Sequence, residues 1–294
     1  MNNTPLIDMH SHWGTEEFYP LRGAEEQAIQ MQIWKTECRF YSLAEQADYF
    51  RANHVRVILD FGFTQSLAME QVRRMHDTAI AYQRDHGDVI IGNWLQINPD
   101  EGEAALAEIN RVADLSPGFV GVACSAVRNR RPPTHESFQP LYRLCAARGL
   151  PVMFFVGFTG IGAGKPGGDG IVLEDSHPRH VDAVAAAYPD LRIIAARPAW
   201  PWQAEMNAVL MHKGNVFAEF HGASPRRFPP ELKVEIPRAL RRKVMYANDF
   251  PLLHYDKIVS DWREEGYAAD VLDDIFTGNA ERFLAAAARA RRPE

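Results

Sequence analysis

Two histidines separated by one residue end an apolar run near the start of the chain, in Asp8-Met9-His10-Ser11-His12. Side chains two apart in an extended strand project to the same side, so His10 and His12 can grip one cation or orient one reacting group. Far downstream, Asp249 follows an apolar stretch and precedes Phe250-Pro251, where a carboxylate has little packing reason to stand. It can serve as a metal ligand, or as a general base toward water. Arg197 follows Ile193-Ile-Ala-Ala196 and precedes Pro198. Its planar fork suits a substrate carboxylate or a developing oxyanion; the competing expectation is a buried salt bridge to Asp249. Glu219-Phe220-His221-Gly222 offers His221 as a further acid or base that touches substrate. Glu219 joins it on the same side only if the strand carries no bulge. Arg128 opens the basic group Arg128, Arg130 and Arg131 and is a candidate to bind an anionic group.

These groups must be held by elements, and the chain alternates apolar, β-branched runs with segments of helical period. Strands are expected at Leu6–His10, Val55–Phe61, Val89–Gln96, Phe119–Ser125, Pro151–Val156, Leu191–Ala196, Val216–Phe220 and Lys243–Ala247. Their runs are nearly all apolar, as in strands covered on both faces. Helices are expected between them at Leu43–Asn53, where Ser42 and Glu45 form a capping box, and at Ser66–His86, Asp100–Asp114, Ser137–Arg148, Pro178–Tyr188, Trp200–His212 and Glu231–Arg241. Two more follow at Tyr255–Glu265 and Gly278–Arg291. Eight strands, each followed by a helix, predict an α/β fold: a single (β/α)8 TIM barrel over residues 1–294. Long loops follow strand one (Trp13–Tyr41) and strand five (Gly157–His177). Both belong at the catalytic mouth, the second as a flexible lid. A doubly wound sheet would show a Gly-rich first turn, and His10-Ser-His12-Trp-Gly14 is not one.

Composition narrows the function classes. Lys+Arg 32 against Asp+Glu 38 gives a net charge of −6, with no basic excess to hold a phosphate backbone. Nucleic acid is therefore not an expected partner. No run approaches the roughly 18 apolar residues of a membrane span, and the first residues lack a basic start followed by an apolar run. Cys38, Cys124 and Cys145 form no CxxC pair, which fits a reducing, cytoplasmic setting. Gly162-Ala-Gly-Lys-Pro-Gly-Gly168 invites a phosphate-loop reading. It fails because Thr159 stands where the first glycine belongs and Lys165 precedes proline.

Taken together, His-x-His on strand one and Asp249 after strand eight resemble the amidohydrolase superfamily. The nearest likeness is to the amidohydrolase-related group that includes decarboxylases such as aminocarboxymuconate semialdehyde decarboxylase. Gly149-Leu-Pro-Val152, Tyr188-Pro-Asp-Leu-Arg-Ile-Ile194, Asn248-Asp-Phe-Pro251 and Gly278-Asn-Ala-Glu-Arg-Phe283 extend the resemblance along nearly the whole chain. Members carry a metal-binding histidine at the end of strand five; here Leu150-Pro-Val-Met-Phe-Phe155-Val-Gly157 places Phe155 there. Members carry an acid/base histidine at the end of strand six; here Arg197 stands in its place. Phenyl cannot coordinate a cation, which leaves His10, His12 and Asp249 as the ligand set if a zinc or manganese ion binds. A guanidinium about 5 Å from a divalent ion costs on the order of 6 kcal/mol at an effective dielectric near 20.

The expectation is therefore a degenerate metal site, with no cofactor favoured. Arg197 supplies positive charge that an ion supplies in relatives, some of which open lactones without a metal. Asp249 handles water, with His10 or His12 orienting it. His221, Arg128, Asn248, Trp13 and Phe155 are candidates to contact a small, carboxylate-bearing substrate. Hydrolysis is the first reading. Non-oxidative decarboxylation and a catalytically inactive ligand-binding barrel are the alternatives. Dimers are common in similar proteins, and a homodimer stays open.

Overall fold

The computed structural model describes residues 5–291. Eight parallel strands run in the order β1 (Leu6–His12), β2 (Val55–Asp60), β3 (Ile90–Leu95), β4 (Phe119–Cys124), β5 (Val152–Phe155), β6 (Ile193–Ala196), β7 (Val216–Glu219) and β8 (Val244–Met245). Each pairs with the next in parallel register. The seam between β8 and β1 is closed by single backbone bonds, Met9 N to Tyr246 O at 3.0 Å and Asp249 N to His10 O at 3.2 Å. This is the expected (β/α)8 barrel. No described helix is long and apolar enough to cross a membrane.

Alternation along the strands sorts the side chains into two cores. Ile7, Met9, Ile58, Trp94, Met153, Phe155, Ile194 and Met245 fill the barrel, and Phe283 and Ala280 of the last helix (Asn279–Ala290) pack with them. The outward-facing set, including Val57, Leu59, Val152, Phe154 and Ile193, meets the surrounding helices. Gly121 is needed because a Cβ there would lie 2.6 Å from the Trp94 ring. The same indole donates to Met9 O at 2.8 Å. β1 carries one extra residue against β2 between Asp8 and Ser11, a bulge beside the two histidines. Such bulges re-aim side chains, and here Trp94 holds the bulged backbone from inside the barrel.

Four expectations need correction. The Trp13–Tyr41 loop contains a helix, Gly23–Ile33. Its apolar residues form no single stripe, and its anchor is polar: Gln30 is fully buried, accepts from Tyr19 Oη at 2.7 Å and donates to Glu37 O at 3.1 Å. The helix expected over Glu231–Arg241 runs only from Pro230 to Glu235, because Pro237 cannot continue it. β8 is shorter than expected because Tyr246–Asp249 exchanges ladder bonds for the seam contacts with β1. The second long loop folds into two 3₁₀ turns, Pro166–Gly170 and Leu173–Ser176.

One buried ion cluster ties together the helices that follow β2 and β3. Glu108, on helix Glu103–Leu115, is 1% exposed and accepts from Arg111 Nε and Nη2, both at 2.8 Å. His76, on helix Met69–Asp85, lies 2.7 Å from it through Nδ1. Burial acts to raise the Glu108 carboxyl, but the bonds from Arg111 and His76 outweigh it and hold the pKa at about 2. A depressed acid stabilises the fold above its unfolded pKa and loses that contribution as pH falls through the folded value. Glu108→Gln is therefore expected to cost about 2–3 kcal/mol at pH 7 in urea denaturation. The difference from the parent should shrink as pH falls from about 4.5 toward 2. A constant difference across that range would contradict the assignment.

Candidate active site

The C-terminal ends of the strands bring the polar residues into one cluster. Glu219, inward-facing on β7, holds two imidazoles through Oε1, His10 Nδ1 at 3.0 Å and His221 Nδ1 at 2.7 Å. The strand is unbulged there, so Glu219 and His221 share a side. On the opposite flank, His10 Nε2 lies 3.1 Å from Asp60 Oδ2, at the end of β2. Burial alone would drive His10 toward neutrality, but Asp60 and Glu219 outweigh it and raise its pKa to about 10. Glu219 and Asp60 are both held below the usual carboxylate range, against their burial, by the histidines they contact. His221 is pushed down by burial in spite of Glu219.

His12 lies in T-shaped contact with His10, their rings 5.0 Å apart. Its Nδ1 is 3.1 Å from the Asp60 carbonyl and must donate to it, while Nε2 is 3.1 Å from Asp249 Oδ1. A bare Nε2 facing a carboxylate oxygen at that distance needs a proton or a cation between them. The same holds for His10 Nε2, which is buried against Asp60 Oδ2. Ligand atoms of His10, His12 and Asp60 lie within 4.8 Å of one another, as do those of His10, Glu219 and His221. In His10 and His12, each Nδ1 is already oriented by an oxygen acceptor, the outer-sphere arrangement that metal-bound imidazoles use. These donors fit a divalent ion of the zinc or manganese kind. The sequence reading favoured no cofactor after finding Phe155 and Arg197 in place of histidines. It did not count Asp60, which joins the set through β2.

Arg197 and Asp249 both sit in left-handed backbone, with φ of 75° and 86°. Such conformations cost roughly 1–3 kcal/mol for a non-glycine residue and persist where the surroundings enforce them. The turn after Ala196 brings the half-buried guanidinium over the Phe155 ring, 5.2 Å from its centre, on the wall of a cavity of about 80 Å³. Nη1 donates to Phe158 O at 3.3 Å, and the buried Nε has no partner. Among the described residues, no carboxylate oxygen lies within 4.0 Å of this guanidinium. The salt bridge to Asp249 is not formed; His12 holds that carboxylate instead. Burial pushes Arg197 down to about 10, partly offset by Asp249 and Glu219.

His12, His221, Asp249, Arg128 and Phe155 line the same cavity as Arg197, and His10 lies behind them, fully buried. Asn248 and Trp13 are elsewhere. The Asn248 amide accepts from Tyr246 Oη and donates to Leu253 O, both at 2.8 Å, bracing the turn after β8. Trp13 is buried and stacks on Phe61 at 5.1 Å, in the outer core. Gln96 and Asp60 were missed. Gln96 lines the cavity and donates Nε2 to both Asp60 oxygens, at 2.7 and 2.5 Å. Asp60 carried the signal that marked Asp249, a carboxylate closing an apolar strand.

Comparison with known proteins agrees with this geometry. The amidohydrolase family model matches residues 7–285. No curated protein matches the chain. Among solved structures, an uncharacterized TIM-barrel protein from Bordetella bronchiseptica is 18% identical with a TM-score of 0.74, covering 97% of this chain and 100% of that one. 5-Carboxyvanillate decarboxylase from Sphingomonas paucimobilis is 16% identical with a TM-score of 0.71, covering 96% and 99%. 2,6-Dihydroxybenzoate decarboxylase from Rhizobium is 14% identical, also with a TM-score of 0.71, covering 96% and 99%. At such identities the likeness speaks for the fold. With its family match running from β1 into the last helix, the chain belongs to the amidohydrolase family.

Proposed function

We propose that this protein is a hydrolase of the amidohydrolase superfamily acting on a small organic molecule that bears a carboxylate. The observation that carries the reading is the unpaired Arg197 guanidinium on the cavity wall, facing a cavity that also holds the Asp249–His12 pair. With Nη1 engaged by the Phe158 carbonyl, Nε and Nη2 remain as the parallel fork that a carboxylate accepts. Bound there, the substrate presents its neighbouring electrophilic carbon to the cavity. Asp249 Oδ1 is taken by His12, and Oδ2 faces Gly222, where no side chain intervenes. A water on Oδ2 gives its proton to the carboxylate as its oxygen bonds to that carbon. The proton taken by Asp249 passes to the leaving group as its bond breaks, with His221, fixed through Nδ1 by Glu219, as the relay. His10, His12 and Asp60 would hold a divalent ion, which when bound supplies Lewis-acid polarisation of a substrate oxygen. Three free thiols suit a reducing, cytoplasmic setting.

Decarboxylation is the second reading, favoured by the decarboxylases among the fold neighbours. In that case Arg197 would hold the carboxylate while His221 or His10 returns a proton to carbon. A physical objection weighs against it. A guanidinium on the departing group stabilises the ground state more than a transition state in which that charge is leaving.

A panel of small carboxylate-bearing lactones and amides, turned over in ¹⁸O water, separates the two. Hydrolysis is expected to place one labelled oxygen in the product; CO₂ release with no label incorporated would overturn it. Asp249→Asn is expected to lower kcat by about 1,000-fold with folding unchanged. Undiminished turnover would remove Asp249 from the chemistry. Arg197→Met is expected to raise KM by about 100-fold, with Arg197→Lys recovering only part because it lacks the fork. Equal KM values across the three proteins would contradict the carboxylate assignment.

A further inference from the structure

The barrel has a larger cavity at its other end. It measures about 410 Å³ and lies where β6, β7 and β8 begin, opposite the candidate active site. Small-molecule sites span about 300–1,000 Å³. Three guanidiniums line it and no carboxylate does: Arg192 just before β6, Arg242 just before β8, and Arg282 on the last helix. The remaining wall is apolar. Phe217, inward-facing on β7 like Glu219, meets the Phe283 ring edge-on at 5.1 Å, and Ala286 lies beside them.

The charges here do not balance. Arg242 Nη1 and Arg282 Nη2 share a single acceptor, Asp274 Oδ1, at 2.8 and 2.9 Å. The two nitrogens are thus no farther apart than two hydrogen bonds laid end to end, a gap that the divergent oxygens of a phosphate can span. Asp274 opens a single π-helical turn, Asp274–Gly278, a rare conformation that recurs at functional sites. Asn279, the next residue, orients Arg282 through its side-chain oxygen. Neighbouring cations are committed elsewhere. Arg241 has Asp270 at 2.8 Å, and the Lys243 ammonium, 4.8 Å over the Phe217 ring, donates to the carbonyls of Lys213, Gly214 and Val216. Among the described residues, Arg192 has no carboxylate within 4.0 Å. Three lining guanidiniums against Asp274 leave two positive charges unmatched.

We propose that this cavity is a second ligand site, for a small organic phosphate monoester with a ring-bearing body. The phosphate carries a charge of roughly −2 at pH 7 and matches the excess, with Arg242 and Arg282 as its first anchors. The ring lies against Phe217 and Phe283. The site stands apart from the barrel mouth and does not depend on the reaction assigned there.

The probes are phenyl phosphate, inorganic phosphate and phenol, titrated by calorimetry at matched ionic strength. Phenyl phosphate is expected to bind at least tenfold more tightly than either of its halves. The double variant Arg242→Gln/Arg282→Gln should weaken it tenfold or more. Ala286→Glu, which keeps every arginine and sets a carboxylate in the wall, should do the same, and urea midpoints establish that both proteins are folded. Arg197→Met, at the other end of the barrel, should leave the affinity unchanged. Phenyl phosphate no tighter than inorganic phosphate, or binding that survives Ala286→Glu or the folded double variant, would overturn the proposal. Binding lost in Arg197→Met would overturn it too, by placing the probe at the mouth.

Discussion

Three carboxylates, Asp60, Glu219 and Asp249, are packed into the C-terminal end of one barrel at 0%, 0% and 2% exposure. Burying like charges together is unfavourable unless positive partners stand among them. The site can be read as the answer to that constraint. His10 is held between Asp60 and Glu219, His12 lies against Asp249, and Gln96 donates two bonds to Asp60. The fold serves this arrangement through the β1 bulge, the Trp94 bond to Met9, and the left-handed turn that carries Asp249 back to β1. Asp8 adds to it from outside the barrel, accepting from the backbone of both His10 and Asn248 at 3.0 Å, so one buried side chain spans the seam.

Arg197 is the exception that gives the site its direction. Every other charge in the cluster has a partner, whereas this guanidinium has a carbonyl on one side and open cavity on the other. The residue that stands in the strand-six position is thus not bound in a salt bridge to Asp249. His10, His12 and Asp60 are the candidate ligands of a divalent ion, and the arginine lines the cavity together with His12. A divalent ion held by those residues would repel the guanidinium, and a bound anion would offset that repulsion.

Much of this was legible in the chain. The eight apolar runs marked the strands because both faces of each are covered, and the polar residues closing β1, β7 and β8 marked the mouth. Asp60 closes an apolar run as Asp249 does and was open to the same reading; Gln96 carries no such signal, and its meaning comes from what β3 places beside β2. The helix Gly23–Ile33 was hidden because a buried glutamine, not an apolar stripe, anchors it. Trp13 and Asn248 looked like mouth residues by position, but the bulge in β1 and the turn after β8 direct one into the outer core and the other into the seam. The kinked backbone at Arg197 was also beyond sequence reasoning. Simple alternation after inward-facing Ala196 would have sent its side chain outward.

The most direct test is a high-resolution crystal structure with a small carboxylate bound in the cavity. An Arg197 reserved for substrate charge requires the carboxylate oxygens on its Nε and Nη2, with the Asp249–His12 contact intact. An arginine swung onto Asp249, with the ligand bound elsewhere, would contradict it.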